Sequence, residues 1–163
     1  LIVAKNLGLR NIVVVATTDK RLGIAREMGA VRTIASKNED VIEVMKQLRP
    51  NGTDIVIDAT GIEECIQQCL KLTRKGGTFG LAGYGRGKVM SIRIDDIHIN
   101  NLRVVGAGNN WNQHKKAVTM MADGSVNIER FVTNKIKLEE FQLGLDLART
   151  RPEGFVKAVF CDE

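Results

Sequence analysis

The sequence predicts one α/β domain built on a doubly wound parallel sheet. Short apolar strands alternate along the chain with helical patterns of about 10–15 residues, the signature of parallel crossover units rather than of a sandwich. The strand candidates include the continuous apolar runs IVVVA and DIVIDA, which suit a sheet covered on both faces. The chain has 163 residues, 44% of them hydrophobic and 26% charged, and only two prolines. That is long enough for one real core and ordinary for a globular protein. No internal repeat, linker or low-complexity run interrupts it.

The elements follow in order. Leu1–Leu7 reads as the last two turns of a helix, stopped by Gly8 at a C-terminal cap position. No N-cap precedes it, so the chain is expected to be truncated at its N-terminus. Asn11–Ala16 is a buried strand. Asp19 is the expected N-cap of the next helix, whose apolar stripe is Leu22, Ile24, Ala25 and Met28, with Gly29 closing it. Val31–Ala35 is a short strand. Ser36 is expected to open another helix, because Glu39 lies at the spacing of a capping box. Val41, Val44, Met45 and Leu48 then face inward, and Pro50-Asn51-Gly52 ends the helix.

Asp54–Ala59 is the next buried strand, followed by Thr60-Gly61. Ile62, Ile66, Cys69, Leu70 and Leu72 mark a helix expected to end around Lys75-Gly76-Gly77. Thr78–Gly83 is a strand of small residues, and Tyr84–Lys88 a glycine-rich loop. Ser91–Ile94 is expected as an edge segment and Asp95–Asn100 as one helical turn. Leu102–Gly106 is a strand ending in Ala107-Gly108. Gln113–Ala122 is a helix, Val132–Ile136 a strand, Leu138–Arg149 a helix and Phe155–Cys161 the closing strand.

Composition narrows the function. The net charge of +5 permits an anionic partner, but the basic residues are scattered and aromatics make up only 4%. A nucleic-acid surface would show a basic stripe with stacking aromatics, so no nucleic-acid partner is expected. A phosphorylated small ligand accounts for the mild excess equally well. No apolar run approaches the roughly 20 residues needed to span a bilayer, and LIVAKNLGL is too short and polar for a signal peptide core. Three cysteines, an odd number, point to a reducing, cytoplasmic setting.

The order strand, polar turn, KRLGIAREMGA, strand, helix, DIVIDATG, helix, RKGGTFGLAGYG, strand LRVVGAG, helix, closing FVKAVF resembles the coenzyme-binding half of a medium-chain alcohol dehydrogenase. It is closest to the zinc-dependent branch that includes polyol, threonine and sorbitol-type enzymes. The resemblance covers essentially the whole chain and implies a Rossmann-type, dinucleotide-binding fold over residues 1–163. It also implies that the first strand, its Gly-rich pyrophosphate turn and a catalytic zinc domain lie upstream, outside this stretch. This stretch alone is therefore expected to catalyse nothing and to hold no metal.

In such folds the strand C-termini meet the ligand. Small residues at Ala59, Thr60 and Gly61 would let the backbone approach the adenosine side. By resemblance, Ala82 and Gly83 fall near the nicotinamide ribose, and Gly106, Ala107 and Gly108 are where backbone groups would bind the carboxamide. Lys157 falls where the family often places a basic residue for the pyrophosphate. Each glycine also has a plainer reading, as a simple turn or cap.

The turn after the second strand of the fold selects the cofactor. NAD-preferring relatives put a carboxylate there for the ribose hydroxyls, and that position here is Ala16. Its absence removes repulsion of a 2′-phosphate, which Thr17, Thr18, Lys20 and Arg21 would then meet with hydroxyls and positive charge. NADP is the expected cofactor, with NAD the alternative; Asp19 weighs against NADP unless it is occupied as the helix cap. Cys65 and Cys69 lie four apart on one helix, and free thiols packed in the core explain them better than a metal site. His98 and His114 have no Ser–Asp or metal arrangement about them. Trp111 and Asn109-Asn110 follow a strand end and suit either a cofactor contact or loop packing.

The resemblance implies hydride transfer between an alcohol or polyol and the nicotinamide, with zinc polarising the alcohol in the upstream domain. A zinc-free quinone or enoyl reductase and a non-catalytic nucleotide sensor are the alternatives. Strand 131–136 is expected near a sheet edge, where subunits pair into a homodimer or homotetramer.

Overall fold

The structure is a computed structural model that describes residues 1–108 and 111–162, apart from the side chains at 111, 112 and 130. The chain divides into two units, Leu1–Lys37 with His114–Glu163, and Asn38–Gln113.

In the first unit, helix α1 (Ile2–Asn6) closes at Leu7. Gly8 takes φ +86°, and the amides of Gly8 and Leu9 bond back to Lys5 and Ala4. Only a residue without Cβ adopts that left-handed turn cheaply. Strand β1 (Val13–Ala16) pairs in parallel with β2 (Arg32–Ala35), Val13 opposite Arg32 and Ala16 opposite Ala35. Helix α2 (Asp19–Glu27) crosses between them and buries Leu22 and Ala25. Ile34 of β2 is fully buried.

Later in the same unit, β6 (Val132–Ile136) pairs in parallel with β7 (Lys157–Phe160). Their crossover is the helix Phe141–Thr150. Gly144 lies under the Phe160 ring, and a Cβ there would stand 2.6 Å from its Cζ. Phe141 stacks on Phe160 at 5.4 Å between ring centroids.

The second unit holds α3 (Val41–Leu48), β3 (Thr53–Asp58), α4 (Glu63–Leu72), β4 (Thr73–Leu81), α5 (Ile94–Ile99) and β5 (Arg103–Gly106). The three strands form a parallel sheet in the order β3–β4–β5. Ile66 and Leu70 of α4 pack on Phe79 of β4, joined by Cys69, Leu81, Met90, Ile97 and Leu102. Arg74 Nε donates to Asp54 Oδ1 at 2.6 Å, tying β4 to β3. That bond and the guanidinium charge hold the Asp54 carboxyl below its ordinary range.

The parallel α/β class is as expected, with several corrections. The described strands pair in parallel in groups of two, three and two. The strands are not buried on both faces. Ile55 and Ile57 are 48% and 61% exposed, and Val105 is exposed as well. The register puts these three on the face opposite Phe79 and Leu81, and α4 and α5 cover only the latter.

Asp19 is not the N-cap of α2. Thr18 holds that position, without a side-chain cap bond, and Asp19 begins the helix itself. Ser36 opens no helix either: its amide donates to Ala16 O at 3.1 Å and prolongs the β1–β2 pairing. The cap lies four residues on, where Asp40 accepts from Glu43 N at 3.1 Å. Asp40-Val-Ile-Glu43 has the same spacing as Ser36-Lys-Asn-Glu39, and the stronger acceptor wins. Helix α4 passes straight into β4 at Thr73, so Lys75-Gly76-Gly77 belongs to an irregular stretch of strand rather than a helix end. Segment 91–93 forms no strand, and α5 begins at Ile94. Among the described residues no helix is long and apolar enough to cross a membrane.

Candidate functional site

In the second unit the C-terminal ends of β3 and β4 are held together at one residue. Asp58, the last residue of β3, is only 2% exposed. Its Oδ1 accepts from Thr60 N at 2.9 Å and from Thr60 Oγ1 at 2.6 Å, and its Oδ2 accepts from Gly61 N at 2.9 Å. Its main-chain oxygen accepts from Ala82 N at 2.8 Å and Gly83 N at 2.9 Å. Thr60 Oγ1 in turn accepts from Ile62 N at 3.1 Å, at the mouth of α4, where Ile62 as N-cap has no side-chain acceptor to offer.

The glycines at these ends divide into two kinds. Gly61 has φ +67°, and a Cβ there would stand 2.5 Å from Tyr84 C. At Gly83 a Cβ would overlap Gly61 N and the Asp58 carboxylate. Contacts within the chain therefore account for both. Gly106 and Gly108, at the end of β5, do not take a left-handed φ, and no described atom lies within 4 Å of where a Cβ would stand on either. Neither turn geometry nor packing demands glycine there, and the space in front of them is open. Ala107 N donates to Leu81 O at 2.8 Å, so the ends of β4 and β5 stand side by side.

In the first unit the end of β1 is Ala16, followed by exposed Thr17 and Thr18, with Arg21 exposed on the first turn of α2. Asp19 shares that exposed turn. Lys157 is exposed too, but it is the first residue of β7, at the strand's N-terminal end. Ala59, Thr60, Gly61, Ala82 and Gly83 are thus brought together, and Gly106, Ala107 and Gly108 flank them. Asn109, Asn110 and the Trp111 side chain lie outside the described residues.

A sequence profile described as zinc-binding dehydrogenase matches residues 1–123. The chain belongs to the zinc-binding dehydrogenase family. Among its relatives, sorbitol dehydrogenase of Gallus gallus is 30% identical over 99% of this chain and 46% of its own length. L-Threonine 3-dehydrogenase of Bacillus velezensis is 31% identical over 90% of this chain and 43% of its own. A zinc-binding dehydrogenase from Sinorhizobium meliloti, solved bound to NADP, superposes with a TM-score of 0.86 at 28% identity, over 98% of this chain and 47% of that one. The chain therefore spans about half the length of the relatives it matches, and its fold is the Rossmann-type fold of these dehydrogenases.

In the zinc-binding dehydrogenase chain, the Cys69 thiol is chemically quiet. Burial first, then the nearby Asp58 carboxylate, push the Cys69 thiol up to about 12. Among the described residues no group of three or more His, Cys, Asp or Glu side chains is placed to hold a metal ion. Since only the thiolate is nucleophilic, Cys69 should react with iodoacetamide at pH 8 at least about a hundredfold more slowly than an unstructured cysteine peptide. Site-resolved mass spectrometry reads this directly, and alkylation at the peptide's rate would refute the assigned environment.

Sequence reading missed Asp58. It lies near the end of the largely apolar run DIVIDA, and a carboxylate ending such a strand just before Ala-Thr-Gly is itself a signal. A buried carboxylate needs several donors, and Thr60 and Gly61 supply three.

Proposed function

We propose that this chain is the coenzyme-binding part of a larger zinc-type, NAD(P)-dependent alcohol or polyol dehydrogenase that prefers NADP(H). The observation that carries the preference is the end of β1. Ala16 presents no carboxylate to a 2′-phosphate, while the Thr17 and Thr18 hydroxyls and the Arg21 guanidinium are exposed beside it. Arg21 offers a planar pair of donors suited to phosphate. Asp19 is the opposing charge on this turn, and the family relative crystallised with NADP supports the reading.

Gly106, Ala107 and Gly108 would receive the nicotinamide carboxamide on backbone groups, and the open space in front of the two glycines leaves room for it. Ala59, Thr60, Gly61, Ala82 and Gly83 would receive the ribose and adenosine portions, and Lys157 would contribute charge to the pyrophosphate. NADP, when bound, supplies the hydride acceptor. These residues would bind and orient the dinucleotide.

A small alcohol or polyol substrate follows from the names of the relatives. Free thiols at Cys65 and Cys69 suit a reducing, cytoplasmic compartment. Pairing through β6 would give a homodimer or homotetramer.

Calorimetric titration of the intact protein with NADPH and NADH tests the reading. NADPH should bind more tightly; tighter binding of NADH would sink the preference, and binding of neither would sink the function. Ala16→Asp should shift the preference toward NADH by about tenfold or more, since a carboxylate gains charge-assisted bonds to the ribose hydroxyls and repels the 2′-phosphate.

A further inference from the structure

We propose that Asp58 is a positioning residue for dinucleotide binding: it sets both the spacing and the polarity of the β3 and β4 ends, without touching the ligand itself. The proposal rests on the nucleotide reading above.

One residue at the end of β3 takes up five donors of the two neighbouring loops. The carboxylate consumes the Thr60 amide, the Thr60 hydroxyl and the Gly61 amide. The main-chain oxygen consumes the Ala82 and Gly83 amides. These N–H and O–H groups belong to the residues assigned above to the ribose and adenosine portions. With all of them turned inward, the surface left at Ala59 and Ala82 is methyl groups and peptide edges. Such a shelf suits the uncharged adenosine or ribose of a dinucleotide. It is a poor cradle for phosphate, which needs converging N–H donors.

The same bonds fix distance. The β3 loop and the β4 loop touch through backbone, Gly83 against Gly61 and Gly61 against Tyr84, closely enough that neither glycine tolerates a methyl group. The Thr60 hydroxyl carries the constraint onward, since it donates to Asp58 and accepts from Ile62 N at the start of α4. Asp58 therefore orders the β3 loop and the helix start through its carboxylate and holds the β4 end through its main-chain oxygen. At 2% exposed it is out of a ligand's reach.

The test uses the intact protein and three variants. Asp58→Asn replaces one acceptor with an NH2 group and forces a donor against a donor at Thr60 or Gly61. Asp58→Glu keeps the charge and both acceptors. Thr60→Val removes the hydroxyl link while leaving the carboxylate in place. Dissociation constants for NADPH and NADH are measured by fluorescence titration well below each variant's melting temperature.

Asp58→Asn should raise the constant for the preferred dinucleotide by about tenfold or more, the worth of a hydrogen bond to a charged group. Asp58→Glu should recover part of that loss. Thr60→Val should weaken binding less, and its effect should not add to that of Asp58→Asn, because both act through one network. A purely structural role would lower the melting temperature and leave the dissociation constant of the folded protein alone. A folded Asp58→Asn protein that binds as the wild type does would overturn the proposal. If Asp58→Asn does not fold, Thr60→Val alone decides, and wild-type affinity there overturns it. A wild-type protein that binds neither dinucleotide refutes the nucleotide reading instead.

Discussion

Phe79→Ala is expected to lower the unfolding free energy by about 3–5 kcal/mol, the usual cost of emptying a fully buried aromatic site. Phe79 is 1% exposed and packs against Ile66 and Leu70, so a strand and a helix of the second unit meet on its ring. Leu81, Met90, Ile97 and Leu102 close around the same cluster, and no single neighbour can move in to fill the space. Domains of this size are stable by only about 5–15 kcal/mol, so the loss is a large fraction of the total. Urea denaturation of the intact protein measures it. Tyr84→Ala is the control: Tyr84 is 81% exposed, and its loss should fall within about 0.5 kcal/mol. A Phe79→Ala loss below about 1 kcal/mol, the centre of the range for ordinary substitutions, would mean that the cluster is not the core of its unit.

Gly83→Ala should destabilise the protein by about 1–3 kcal/mol, the range for overpacking a filled site, and should also weaken dinucleotide binding. The added methyl group meets Gly61 N, Thr60 C and the Asp58 carboxylate. Two of these are backbone atoms and the third is anchored by three bonds, so no flexible side-chain end is available to yield. Gly106→Ala makes the opposite test, because nothing described stands within 4 Å of its new methyl group. It should leave the melting temperature nearly unchanged and weaken dinucleotide binding, since no described residue meets that group and a dinucleotide at the end of β5 would. Unchanged binding in Gly106→Ala would remove the end of β5 from the site.

Element types were largely legible in the sequence because periodicity and glycine punctuation carry them. Val132–Ile136 matches its strand residue for residue, and Gly8 and Gly29 close their helices with positive φ as their positions suggested. Boundaries were less legible where two local solutions share one spacing. Ser36 and Asp40 both have a glutamate three residues on, and only the structure shows that Ser36 is committed to β1. Burial was misread for a different reason. A run such as DIVIDA says that a strand is apolar, but not which of its faces the described helices cover. At the site, sequence order placed the strand ends correctly side by side. It could not show that Gly61 and Gly83 answer to each other and to Asp58 while Gly106 and Gly108 answer to nothing described, because that distinction depends on distances across the sheet.

The register of the sheets has a consequence for how the chain acquires its structure. In every strand pair the partners are roughly 20–25 positions apart, from Val13 with Arg32 to Val132 with Lys157, and each gap is closed by its own crossover segment. Loop-closure entropy rises only slowly with length, and short separations favour fast folding. No described pair waits for a distant segment before its bonds can form. Each pair therefore closes a loop of similar, modest length, and no described strand pair carries a larger closure cost than the others.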